Sequence, residues 1–142
     1  MTSAANRSHH SQERRSNSSA PAAAELGRVG AKLFFAIADE WQLSQEQRCR
    51  LAGVGRTTLH NWRRKVDAGE ALPLPADTLE RLSYISGIYK ALQILLPTRQ
   101  QWAEWVRRPN RDFGGQSALE RMLGGQVVDL ADVRRYLDAQ RG

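Results

Sequence analysis

Apolar positions recur at helical spacing from Glu25 to the end of the chain, and no segment reads as a strand. Leu26, Val29, Leu33, Ile37 and Trp41 predict a helix with one buried stripe, which Phe34 widens. Ser44 with Gln47 is a capping box that opens the next helix, carrying Arg48, Cys49 and Leu51. Leu79, Leu82, Ile85, Tyr89, Leu92 and Leu96 predict the longest helix, from Thr78 to about Leu96, started by Asp77 with Glu80 and stopped by Pro97. Ile88 and Leu95 broaden its stripe, which implies burial on two sides or a self-association surface. Gly87 inside it permits the close approach of another backbone or serves plain packing. Thr98 with Gln101 caps a helix through Trp102, Trp105 and Val106, whose tryptophans share a face. Ser117 with Glu120 opens Ala118 to Leu123, which Gly124-Gly125 stops with a left-handed cap. Asp129 with Asp132 is a weaker start signal for a last helix with Leu130, Val133 and Leu137 on one face, leaving Arg134, Arg135 and Arg141 to solvent or a partner. The fold class is all-α.

Between these elements, Leu51 to Lys65 (LAGVGRTTLHNWRRK) has the layout of a helix-turn-helix. A helix ends at Ala52-Gly53, Val54 is buried in a tight turn, and a second helix turns Leu59 and Trp62 inward. Arg56, Thr57, Thr58, His60, Asn61, Arg63 and Arg64 then lie on or near its outward face. Arginine reads guanine, asparagine reads adenine, and threonine meets a thymine methyl. Arg63, Arg64 and Lys65 suit phosphates. Gly55 stands where a Ser or Thr cap is commoner, a weaker start. Asp67 to Pro75 is a loop.

Charge sharpens the DNA-binding reading. The chain of 142 residues carries a net +6, and Arg48, Arg50, Arg56, Arg63, Arg64 and Lys65 fall in one window without an acid. Such a patch suits a polyanion, although a solvated helical face would look the same. Met1 to Ala24 holds no hydrophobic side chain larger than alanine after Met1, so it reads as a disordered arm. Cys49, the single cysteine, reads as a small packed residue and fits a reducing cytoplasm. His9-His10 has no neighbouring ligand set. No membrane span, metal cluster, cofactor motif or catalytic constellation is expected, so the chain reads as a cytoplasmic protein that is not an enzyme.

The stretch from Pro109 to Gly142 is the most informative. Phe113-Gly114-Gly115, the run from Ser117 to Glu120, Leu123-Gly124-Gly125 and the final Val133-Arg134-Arg135-Tyr136-Leu137 with Arg141-Gly142 resemble the toxin-binding domain of the Xre/MbcA/ParS antitoxins. Pro109-Asn110 inverts the Asn-Pro order of that pattern. The resemblance implies an Xre-like helix-turn-helix platform carrying a C-terminal toxin-binding domain. It implies residues 1–24 as arm, 25–76 as DNA-binding region, 77–108 as linking and dimerisation helices, and 109–142 as toxin-binding domain. The implied partner is a RES-domain toxin that consumes NAD, whose active site the antitoxin covers. Phe113, Gly114, Arg134, Tyr136, Arg141 and Gly142 are the candidate contacts, with the Gly142 carboxylate meeting basic groups and Arg141 an acid. The same resemblance implies binding of operator DNA, autorepression, a homodimer and a higher toxin–antitoxin assembly. The competing class is a helix-turn-helix transcription regulator whose C-terminal hairpin only dimerises or senses a ligand.

Overall fold

The structure, a computed structural model, describes residues 22–142 and is all-helical there. α1 takes residues 22–40, α2 Gln45–Ala52, α3 Arg56–Ala68, α4 Ala76–Leu95, α5 Arg99–Arg107, α6 Ala118–Met122 and α7 Val127–Gln140. A 3-10 turn at Arg111–Phe113 and an isolated bridge between Pro109 and Ser117 shape the α5–α6 connection. Residues 1–21, with His9-His10, lie outside the described residues. Residues 22–24 belong to α1, which begins earlier than the pattern change at Glu25 predicts. They are alanines, the best helix formers.

Three helix starts follow the capping boxes read from sequence. The N–H groups of Gln47, Gln101 and Glu120 donate to the hydroxyls of Ser44, Thr98 and Ser117 at 3.1, 3.3 and 3.0 Å. In return, the backbone N–H groups of Ser44, Thr98 and Ser117 donate to side-chain oxygens of Gln47, Gln101 and Glu120. Two start signals are misplaced by the sequence reading. α4 begins at Ala76 after Pro75, so Asp77 sits in the first turn, where its charge favours the helix dipole without capping. α7 begins at Val127, and Asp129 reaches back to accept from the Gln126 N–H at 3.0 Å. Gly124 makes room for that carboxylate, since a Cβ there would stand 2.4 Å from Asp129 Oδ2. α3 also passes through Asp67 and Ala68, because Gly69 at φ 68° is the first residue to stop it.

One core runs through the described residues, with α4 at its centre. Leu82, Ile85, Ile88, Ala91 and Leu92 of α4 are buried, and α4 packs on α2, α5 and, most extensively, α7. Burial on two sides therefore accounts for its broad stripe. The α1 stripe is only partly right. Ala31, Phe34, Phe35, Ile37, Ala38 and Trp41 are buried, whereas Leu26, Val29 and Leu33 are exposed. Apolar residues cover more than half the circumference of α1, and the packing of α3 and α4 selects one side. Arg63 of α3 lies over the Phe35 ring, 4.9 Å from its centroid.

Candidate DNA and partner interfaces

α2, the turn at Gly53 and α3 form the helix-turn-helix. Gly53 ends α2 at φ 70°, Val54 is half-buried against the core, and Leu59 and Trp62 turn inward. Arg56, Thr57, Thr58, His60, Arg63 and Arg64 are exposed, and Asn61 and Lys65 half-buried. Gly55 gives α3 no side-chain cap. Its first-turn N–H groups thus stay open to an anion beside Arg56. Arg64 donates to Asn61 Oδ1 at 3.0 Å and stands 3.9 Å from Glu70, and Arg63 stands 3.8 Å from Asp67. Such exposed pairs are weak and give way to phosphate. The basic window itself divides. Arg48 pairs with Asp39 at 2.8 Å and donates to the Leu43 carbonyl, and Arg50 donates to the Leu123 carbonyl at 2.7 Å. Cys49 is half-buried against the core.

The second face is the loop from Pro109 to Ser117 with α7 behind it. The Asn110 N–H donates to the Gln116 carbonyl and the Gly115 N–H to the Asn110 carbonyl, both at 2.9 Å. Asn110 Oδ1 accepts from the Asp112 N–H at 2.9 Å. Proline at 110 would lack the N–H that closes this loop, which gives the inverted Pro109-Asn110 order a role. Gly114 and Gly115 follow at φ 66° and 90°, exposed, with open space where a Cβ would stand. Left-handed backbone, not crowding, is what calls for glycine there. Phe113 is buried, its ring 4.9 Å from that of Tyr136, which stacks in turn on Trp105 at 6.2 Å. The Tyr136 hydroxyl donates to Asp112 at 2.9 Å. Phe113, Gly114 and Tyr136 therefore form one braced loop.

The other candidates lie elsewhere on α7. Arg134 donates to Asp138 at 3.0 Å and lies across Gly87 of α4, where a Cβ would stand 1.4 Å from its Nη1. Gly87 thus admits a guanidinium, not a second backbone. Arg135 pairs with Asp132 at 3.4 Å, and Asp138 is 3.7 Å from Arg141, so none of the three arginines is left wholly to solvent. Arg141 and Gly142 are exposed at the end of α7.

Arginines join the two faces, a role the sequence reading missed. Besides Arg50, Arg81 Nη2 donates to the Gly125 carbonyl at 3.0 Å while its guanidinium fills the space beside Gly53. Arg107 Nη2 donates to the carbonyls of Trp41 and Gln42 at 2.7 and 3.1 Å, closing the end of α1. Every acceptor is a backbone carbonyl distant in sequence, and no side-chain pattern announces such a partner. Tyr89 adds a link from α4 to α1 by donating to Glu40, and burial, with that bond, pushes its hydroxyl up to about 12.

With the geometry in place, comparison with known proteins is decisive. The family model of the antitoxin Xre-like helix-turn-helix domain matches residues 20–87, and that of the antitoxin Xre/MbcA/ParS C-terminal toxin-binding domain matches residues 91–142. The chain belongs to the Xre/MbcA/ParS antitoxins. The uncharacterized protein y4oB of Sinorhizobium fredii (strain NBRC 101917 / NGR234) is 50% identical to this antitoxin over 121 residues, 83% of this chain and 90% of that one. The two matched domains of the antitoxin meet inside α4 near Gly87, so one rigid helix carries both. No helix among the described residues is long and apolar enough to cross a membrane, and no metal-binding cluster occurs among them.

Proposed function

We propose that this antitoxin neutralises a RES-domain toxin that consumes NAD, by laying the loop from Pro109 to Ser117 and the exposed end of α7 over the toxin's active site in the cytoplasm. The observation that carries this reading is the braced loop. Its backbone bonds close it, Phe113 and Tyr136 hold it from behind, and Gly114-Gly115 are exposed with open space where a Cβ would stand. An exposed, preorganised backbone meets a partner at low entropic cost. Phe113 supports the loop from the core side, so Gly114, the Tyr136–Asp112 edge, Arg141 and Gly142 make the contacts. Arg134 lies across α4 and serves the edge of the interface. The antitoxin acts without catalysis of its own.

The same reading has α3 bind operator DNA and repress the operon as a homodimer within a larger toxin–antitoxin assembly. Arg56, Thr57, Thr58, His60 and Asn61 face the bases, with Arg63, Arg64 and Lys65 toward phosphates.

The test co-expresses the chain with a RES toxin and follows cellular NAD. Wild type preserves NAD, while Gly114→Arg or removal of Arg141-Gly142 lets it fall although the variant remains folded. Undiminished protection by both variants refutes the covering mechanism. In a mobility shift on the upstream region, Arg56→Ala weakens specific binding and Arg63→Ala weakens all binding with a shallower salt dependence. If neither variant changes the shift, α3 is not the reading helix.

A further inference from the structure

Where α4 ends, the core opens to the surface. Leu95 and Leu96 at that end, Trp105 of α5, and Tyr136, Leu137 and Gln140 of α7 surround an apolar notch of about 250 Å³. Its floor is core, since Leu92 and Leu137 are buried. Leu95, Leu96, Trp105 and Tyr136 are half-buried walls packed against that core, and Gln140 is exposed at the rim. The walls are held apart. The Tyr136 ring is fixed between those of Phe113 and Trp105 with its hydroxyl on Asp112, and Trp102 Nε1 donates to the Leu96 carbonyl at 2.9 Å. An apolar cavity of about 150 Å³ takes a benzene molecule, so the notch has room for one leucine or phenylalanine side chain.

Position indicates whose side chain it is. Every lining residue lies between Leu92 and Gln140, inside the segment matched by the toxin-binding domain, and none belongs to α1, α2 or α3. Tyr136 and Trp105 also stand in the aromatic stack that braces the loop from Pro109 to Ser117. Gln140 directly precedes Arg141-Gly142. The notch therefore borders both elements assigned above to the toxin, the loop and the end of α7. Residues 1–21 of this chain cannot supply the occupant, since after Met1 they hold no hydrophobic side chain larger than alanine. Interfaces concentrate their binding energy in a few large side chains seated in preformed pockets, and a recess walled by Trp105 and Tyr136 offers such a seat.

We infer that the notch between α4, α5 and α7 is an anchor site for the toxin, seating one large apolar side chain of leucine to phenylalanine size beside the covering loop. This rests on the neutralisation reading above and adds to it a contact away from the toxin's active site. The experiment is calorimetric titration of the full chain with a catalytically inactive form of its RES-domain toxin. Gln140→Trp plugs the notch from its exposed rim, and Leu95→Asn puts an amide into its wall at nearly constant shape. Each weakens binding about ten- to a hundredfold, the effect of leaving one such side chain unburied, with an unchanged helical circular-dichroism signal. Gln140→Ala leaves the seat open and binds within about twofold of wild type. If Gln140→Ala weakens binding as much as Gln140→Trp, the rim amide holds the toxin and the anchor site is overturned. If Gln140→Trp and Leu95→Asn bind as wild type does while Gly114→Arg weakens binding, the anchor site falls and the covering loop stands. A wild-type chain that does not bind the toxin overturns both.

Discussion

Gly27→Ala is the perturbation whose outcome the packing fixes most closely. Gly27 lies inside α1, where alanine in place of glycine ordinarily gains about 0.8–1 kcal/mol of helix propensity. Here the new Cβ would stand 1.9 Å from the Leu72 carbonyl oxygen and 3.2 Å from Leu74 Cγ. The obstacle is backbone, and it is held in place, because the Leu72 N–H donates to the Ala24 carbonyl at 3.3 Å. Relief requires the α3–α4 connection to lift away. That breaks a hydrogen bond worth about 0.5–1.5 kcal/mol and draws Leu72 from a site where its burial contributes about 1.5–3 kcal/mol. Net of the propensity gain, Gly27→Ala destabilises by about 1–3.5 kcal/mol. Gly87→Ala is the matched control, being also mid-helix and also crowded, but by the far end of the Arg134 side chain. That guanidinium swings away at the cost of a half-exposed pair with Asp138, so the variant stays within about 0.5 kcal/mol of wild type. Urea unfolding followed by tryptophan fluorescence separates the two. A Gly27→Ala midpoint equal to wild type, or a Gly87→Ala protein less stable than Gly27→Ala, refutes the reasoning.

Two further outcomes follow from the contacts that tie α1 to the rest of the chain. Tyr89 is held neutral in the fold, its hydroxyl pushed up from 10.0 to about 12, whereas in the unfolded chain it ionises at its ordinary value. Its contribution is therefore complete below pH 10 and lost as pH rises toward 12, and urea titrations across that window show a shallower loss for Tyr89→Phe than for wild type. Arg107→Ala removes charge-assisted bonds to the Trp41 and Gln42 carbonyls and lowers stability by about 1–2 kcal/mol, with Arg107→Lys recovering part; equal melting of all three proteins counts against that anchor.

The sequence by itself determined what local chemistry decides. The three capping boxes, the left-handed stop at Gly53, and the inward faces at Leu59 and Trp62 and at Leu130, Val133 and Leu137 each depend on residues within about one turn of each other, whereas α6 ends in right-handed backbone at Leu123 and the left-handed residue follows only at Gly125. The order of helices and the helix-turn-helix follow from them. Where two local solutions compete, as at Asp77 and Asp129, the start shifts by a residue or more, because Pro75 or the Gly124-Gly125 turn opens the helix sooner. Tertiary structure alone decided how the surplus was spread. α1 offers more apolar residues than one neighbour can cover, and only the placement of α3 and α4 leaves Leu26, Val29 and Leu33 outside. A run of cations looks uniform along the chain, yet Arg48 goes to Asp39, Arg50 to the Leu123 carbonyl and the outward side of α3 stays open. Likewise the six candidate partner contacts divide between a braced loop and the far side of α7, since Arg134 and Tyr136, two residues apart, point to opposite sides of one helix. Partners dozens of residues away leave no mark in a local pattern, because what they recognise is a backbone carbonyl or an open face, and every residue type can supply either.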